Sequence, residues 1–158
     1  MFTNILLASD GSPDAEMAAV TAAELACRFQ AMLRVVHVFP FFGKSLPGKE
    51  WEPRGFAADV DPAIVQRWAE QSAQVVARHV EETISDQVRY TFRQENGDPA
   101  DTILRIATEE QVDLIVLGCR GLGPALRQHL GSVSARVSQS APCSVLIVRP
   151  ASEELVPQ

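Results

Sequence analysis

Leu114-Ile115-Val116-Leu117-Gly118-Cys119-Arg120-Gly121, followed after nine intervening residues by Gly131-Ser132-Val133-Ser134, is the stretch on which the fold turns. Four consecutive apolar residues, Leu114 to Leu117, suit a strand buried on both faces. Gly118 ends the strand and Gly121 follows in the turn. Gly131-Ser132 then opens a run whose apolar spacing, Val133 and Val137, suits a helix. Buried strand, glycine turn, loop and glycine-serine at a helix start form an anion-binding arrangement. Glycines let the backbone come close to a ligand, and a helix N-terminus offers unpaired N–H groups with a partial positive charge.

Charge points the same way. The whole chain carries a net charge of −6, yet Leu114 to Arg149 holds Arg120, Arg127, Arg136 and Arg149 and no acidic residue. Met1 to Asp113 carries 10 basic against 18 acidic residues. A segment cleared of carboxylates in an acidic chain is expected to host an anion. Only two of the 14 basic residues are lysines, Lys44 and Lys49, and with an acidic total no nucleic-acid partner is expected.

Working outward, Asn4 to Ala8 reads as a first strand and Ser9-Asp10-Gly11-Ser12 as its turn. Ser12-Pro13 starts a helix running to about Gln30, with Met17, Val20, Ala23 and Leu25 to Ala26 as its apolar stripe. Leu33 to Phe39 is a second strand. Pro40 to Val60, with three prolines, three glycines and several aromatics, is a long functional loop or one packed on the body. Asp61-Pro62 starts a helix whose face is marked by Ile64, Val65, Trp68, Ser72, Val75, Val76, His79, Val80 and Ile84. Val88 to Arg93 reads as a third strand near a sheet edge. Asp98-Pro99 starts a helix with Ile103, Leu104, Ile106 and Ala107 inward. Leu114 to Leu117 is the fourth strand, Ser132 to Ser140 the last helix, and Ser144 to Val148 the fifth strand.

Strands alternating with helices give an α/β layer fold with a parallel sheet and helices on both faces. One domain over residues 1–150 is expected, with 151–158 as a loose tail. No membrane span and no signal peptide are expected. Cys27, Cys119 and Cys143 form no CxxC pair, which favours a reducing, cytoplasmic setting without a disulfide framework or zinc site. Cys119, inside the glycine turn, is either an exposed reactive thiol or a small residue filling the turn. His37 is read as a packed histidine. Neither a Walker-A loop nor a dinucleotide fingerprint is present, and no Ser-His-Asp set can be inferred.

With these residues in view, the chain resembles the single-domain, ATP-binding form of the universal stress protein family. That family's signature is glycine, two residues, glycine, nine residues, then glycine with serine or threonine. It is complete here as Gly118, Gly121, Gly131 and Ser132. The resemblance implies a flavodoxin-like or Rossmann-like sheet in strand order 3-2-1-4-5, binding ATP or another adenine nucleotide, with Mg²⁺ carried on the phosphates. It puts Asp10 near the ribose and the metal, and the Val38 backbone on adenine. Gly118, Gly121 and Gly131 would bring N–H groups to the phosphates, Ser132 its hydroxyl and Val133 its amide. Arg127 and Arg120 would screen phosphate charge, and Gly97-Asp98 would cap a turn or approach the adenine edge. The resemblance also implies a homodimer joined along the last strand, Val145 to Val148. The expectation is a stress-response regulator acting through nucleotide occupancy and dimerisation. The alternatives are a dimeric interaction module with a vestigial or different pocket, or a slow ATP hydrolase.

Overall fold

A computed structural model of the chain describes residues 1–40, 61–122 and 130–150. Among them the order is β1 (Asn4–Ala8), α1 (Pro13–Phe29), β2 (Met32–Phe39), α2 (Pro62–Thr83), β3 (Tyr90–Asn96), α3 (Pro99–Glu109), β4 (Leu114–Gly118), α4 (Ser132–Ser140) and β5 (Ser144–Val148). The five strands form one parallel sheet, β3-β2-β1-β4-β5. The long Pro40–Val60 loop, from residue 41 on, and the 151–158 tail lie outside the described residues.

Three helices start by one device, a side-chain acceptor followed by proline. The side chains of Ser12, Asp61 and Asp98 accept from the N–H groups of Ala15 (3.3 Å), Ala63 (2.9 Å) and Asp101 (2.8 Å). Proline follows each because its missing N–H costs nothing at a helix start. Gln30 closes α1 in the left-handed region, φ 54°, with its N–H returned to the last turn.

Strand alternation sorts the core into two layers. Ile5, Leu7, Leu33, Val35, Leu114 and Val116 face α1 and α2. Leu6, Val36, Val38, Ile115 and Leu117 face α3 and α4. The central strands β1 and β4 are covered on both sides, which is why they read as unbroken apolar runs.

The structure corrects three details of the sequence reading. The inward face of α1 is made of alanines, Ala15, Ala18, Ala19, Ala22, Ala23 and Ala26, while Met17 and Val20 are exposed. At the N-terminal end of the helix β4 offers glycine, which lets the Asp14–Ala15 backbone come against the strand, and toward the C-terminal end Leu25 and Phe29 also pack on the core. On α2 the buried residues are Val65, Ala69, Val76 and Val80, and Ile64, Trp68 and Val75 face outward. On α3, Ile103, Ile106 and Ala107 are buried and Leu104 packs partly buried against the same core layer, as expected. Strand β3 begins at Tyr90 rather than Val88 and runs to Asn96, because it follows β2 in register from Leu33↔Tyr90 to Phe39↔Asn96. Val88 sits in the preceding turn, buried under the sheet.

Candidate functional site

Strand β1 feeds α1 on one face of the sheet, and β4 feeds α4 on the other. Chain directions therefore part between two neighbouring strands, and a crevice opens past their C-terminal ends. A cavity of about 690 Å³ lies there. Its walls include Asp10, Val38, Gly118, Gly121, Ser132 and Val133, with Gly131 beside them. Seven of the eight residues singled out in the sequence thus surround one hollow, and the eighth, Arg127, lies outside the described residues.

Asp10 organises the near wall. Its Oδ1 accepts from the Ser12 N–H at 3.0 Å, closing its own turn, and Gly11 follows the bend at φ 77°. Its Oδ2 accepts from the Leu122 N–H at 3.0 Å, across 112 residues of chain. The carboxylate therefore clamps the glycine turn to the end of β1. Two further lone-pair sites stay available on its oxygens. No group of three His, Cys, Asp or Glu among the described residues is arranged to hold a metal ion by itself.

The glycines serve this packing. A Cβ on Gly118 would lie 2.7 Å from the Asp14 carbonyl carbon and 2.9 Å from the Ala15 nitrogen. One on Gly121 would lie 2.5 Å from Asp10 Oδ2, and one on Gly131 would crowd Arg120 and Cys119 at 3.3 and 3.4 Å. The space each glycine leaves is filled by protein rather than held open for a ligand. The Gly131 N–H is also used, donating to the Cys119 carbonyl at 2.9 Å. Strand, turn and helix start are drawn together so that other donors face the cavity.

Those donors are the first amides of α4. Gly131 is its N-cap and supplies no side-chain cap. The first bond within the helix is Ala135 N–H to Gly131 C=O, 2.9 Å. The N–H groups of Ser132 and Val133, like that of Gly121, meet no acceptor among the described residues. Ser132 is exposed and lines the cavity. Ser134 Oγ is buried and donates to the Gly118 carbonyl at 2.8 Å, pinning the helix start to the strand end.

On the far wall, Met32 N–H donates to Thr3, and the Val36 carbonyl accepts from Ser9 at 3.0 Å. Even-numbered residues of β2 therefore face β1. Val38 is next in the series, but β1 has ended at Ala8. Its N–H and C=O look across the strand end into the cavity and meet no partner among the described residues. The adjacent His37 is 3 % exposed, held by the Ser9 carbonyl at 2.9 Å and Ser72 Oγ at 2.8 Å.

The arginines are less available than charge counting suggests. Arg120 lines the cavity, but its Nε and its backbone N–H both bond to Asp14 Oδ2, at 3.2 and 3.1 Å. Arg136 pairs with Asp98 at 2.9 Å and with Asp101. Carboxylates from distant parts of the chain thus answer two of the four positive charges in the acid-free segment. No local sequence signal reveals this, since the partners are 35 to 106 residues away. Asp98 caps α3 and holds Arg136, and Pro99 and Ile103 line the cavity instead of Gly97 or Asp98. Cys119 is 5 % exposed, so its thiol fills the turn and does not face solvent.

The sequence pattern of the universal stress protein family matches residues 1–149. The chain belongs to the universal stress protein family. One member, Universal stress protein YxiE of Bacillus subtilis (strain 168), is 34% identical over 152 residues, covering 94% of this chain and 100% of the relative. Universal stress protein UspA from Lactobacillus plantarum superimposes with a TM-score of 0.72 at 26% identity, over 94% of this chain and 98% of that one. A universal stress protein from Archaeoglobus fulgidus, solved in complex with dAMP, shares the fold with a TM-score of 0.57 at 21% identity, over 93% and 98%. Rossmann-like α/β architecture with strand order 3-2-1-4-5 is thus common to this chain and its relatives. Among the described residues no helix is long and apolar enough to cross a membrane.

Proposed function

We propose that this universal stress protein binds an adenine nucleotide, ATP together with Mg²⁺, and acts in the cytoplasm through its occupancy rather than through rapid turnover. The observation that carries this reading is that unpaired main-chain groups look into one cavity from two opposite walls. The helix start and glycine turn offer the amides of Gly121, Ser132 and Val133, aimed where helix polarity favours negative charge. The Val38 N–H and C=O offer one donor and one acceptor side by side. Adenine carries the matching pair, an N1 acceptor beside an N6 donor. A volume of about 690 Å³ falls in the range of small-ligand sites. A nucleotide complex on the same fold, in the Archaeoglobus fulgidus relative, supports the choice of ligand class.

Asp10, with its oxygens steadied by two N–H groups, would accept a ribose hydroxyl or a metal-bound water. Bound Mg²⁺ would supply charge neutralisation for the phosphates, which fits a site whose lining arginine, Arg120, is already paired. Ser132 would add its hydroxyl, and Arg127 a positive charge. Fast hydrolysis needs a base free to orient water and strong charge stabilisation. The Asp10 carboxylate is committed to holding the glycine turn, which argues for binding over hydrolysis.

Calorimetric titration with Mg-ATP tests the reading, together with mass spectrometry of nucleotide released from the purified protein. Ligand at 100 times its Kd is expected to stabilise the fold by about 2.7 kcal/mol. No heat and no shift in melting temperature at millimolar Mg-ATP would refute it.

A second part of the proposal concerns assembly. β5 is an edge strand, and Val145 to Val148 are all only partly buried. An apolar edge needs a cover, and a second copy of the chain supplies one by homodimerisation. Light scattering showing monomer at high protein concentration would remove it. A dimer without nucleotide binding, or binding without the dimer, separates the two parts.

A further inference from the structure

The unpaired state of Val38 has a structural cause in its neighbours. In the β1–β2 ladder, Met32 N–H donates to Thr3 and Ser9 N–H donates to Val36. Carried one step on, the same parallel register would pair Val38 N–H with the Ser9 carbonyl, and Gly11 N–H with the Val38 carbonyl. Among the described residues neither bond forms. The Ser9 carbonyl accepts from His37 Nδ1 at 2.9 Å, and the Gly11 N–H donates to Ser9 Oγ at 3.3 Å. Both ladder partners of Val38 are taken by side chains.

The tautomer of His37 follows. A carbonyl only accepts, so Nδ1 carries the proton, and in the neutral ring Nε2 accepts from Ser72 Oγ at 2.8 Å. The ring is thereby fixed at both nitrogens, between the end of β1 and helix α2. Both intercepted groups are satisfied, and of the ladder groups at this strand end the two on Val38 remain for the cavity's occupant.

We propose that His37 and Ser9 end the ladder one step early and so keep Val38 facing the cavity, making His37 a positioning residue for recognition of the base. This rests on the nucleotide reading for the identity of the occupant, but the interception itself does not. Adenine matches Val38 as described. Hypoxanthine, with an O6 acceptor and an N1 donor, presents the reversed pair. The site therefore selects ATP over inosine triphosphate, and His37, itself among the lining residues of the cavity, sustains that selection through its bond to the Ser9 carbonyl.

The test begins on the ligand-free protein, by amide hydrogen exchange resolved by NMR. Val38 N–H is expected to exchange at least about tenfold faster than Val36 N–H, although both lie in β2. In His37→Leu the Ser9 carbonyl is released to Val38, whose amide becomes as protected as that of Val36. In His37→Asn a donor remains near the Nδ1 position and fast exchange returns. With nucleotide, His37→Leu is expected to weaken ATP binding about tenfold and to lower the ATP-to-inosine-triphosphate ratio, with Asn restoring both. Equal protection of Val38 and Val36 in the unaltered protein overturns the proposal, whether or not any variant folds. Fast Val38 exchange with no binding of either nucleotide upholds the interception and overturns the nucleotide reading instead.

Discussion

Replacing Gly121 by alanine tests the clamp between the glycine turn and the end of β1. The new Cβ would stand 2.5 Å from Asp10 Oδ2, and the next atom in its path is the carboxyl carbon of the same residue at 3.6 Å. Among the described residues nothing but Asp10 opposes the substitution. To make room the carboxylate must leave the Leu122 N–H, which it holds at 3.0 Å. Losing a hydrogen bond to a charged group costs about 1.5–3 kcal/mol. Gly121 does not have a positive φ, so alanine also returns about 0.4–1 kcal/mol by restricting the unfolded chain. The net cost is then about 1–2 kcal/mol, a fall in Tm of about 2–8 °C for a chain of this size. The decisive assay is a double-mutant cycle by urea unfolding. With Asp10→Ala in place the obstacle is gone, and Gly121→Ala should become neutral or stabilising by about 0.5 kcal/mol. An equal cost in both backgrounds would refute the reasoning. Gly121 would then owe its place to something other than the Asp10 carboxylate.

At Gly118 the obstacle is backbone rather than a side chain that can turn away. Gly118→Ala is expected to cost about 3 kcal/mol in urea unfolding, with no relief from Asp10→Ala. The cysteines should rank by exposure in maleimide labelling followed by mass spectrometry, Cys27 first and Cys119 last. Cys143 should lag behind Cys27 for an added reason: burial, and then the charge of Asp113, push its thiol pKa up. The folded state therefore holds that proton more tightly than the unfolded chain. The resulting stabilisation should fade as pH rises past the ordinary thiol range, visible as a falling unfolding midpoint.

Much of the fold was legible because it rests on local chemistry. Ser12-Pro13, Asp61-Pro62 and Asp98-Pro99 each marked a helix start that the structure contains. Leu114 to Leu117 marked a strand covered on both faces. The faces of α1 and α2 were legible only in part. On α1 the buried stripe is alanine and Met17 and Val20 turn outward, whereas on α2 Val65, Val76 and Val80 are buried as expected while Ile64, Trp68 and Val75 are exposed. At the site, the residues of the glycine-serine spacing lie around one cavity, but the reason for each glycine was out of reach. Gly118 needs Asp14 and Ala15 beside it, and Gly121 needs Asp10, more than 100 residues away in each case. The pairing of Arg120 with Asp14 was hidden in the same way. Val38 was implied only by the family resemblance, while its open N–H and C=O depend on where β1 stops and on what His37 and Ser9 bond to.

The alanine face of α1 has a mechanical consequence. Alanine has no rotatable side-chain torsion, so the six buried alanines of α1 offer no second arrangement of their own, and the groups in that seam that can re-pack are Leu25, Phe29 and the Ile, Leu and Val side chains of the sheet. Along the alanines, sliding would have to break contact outright, since only those larger side chains can change position to follow it. The alanine stretch is the stiffest part of that joint, and a shape change that reports an occupied cavity has more freedom where larger side chains meet.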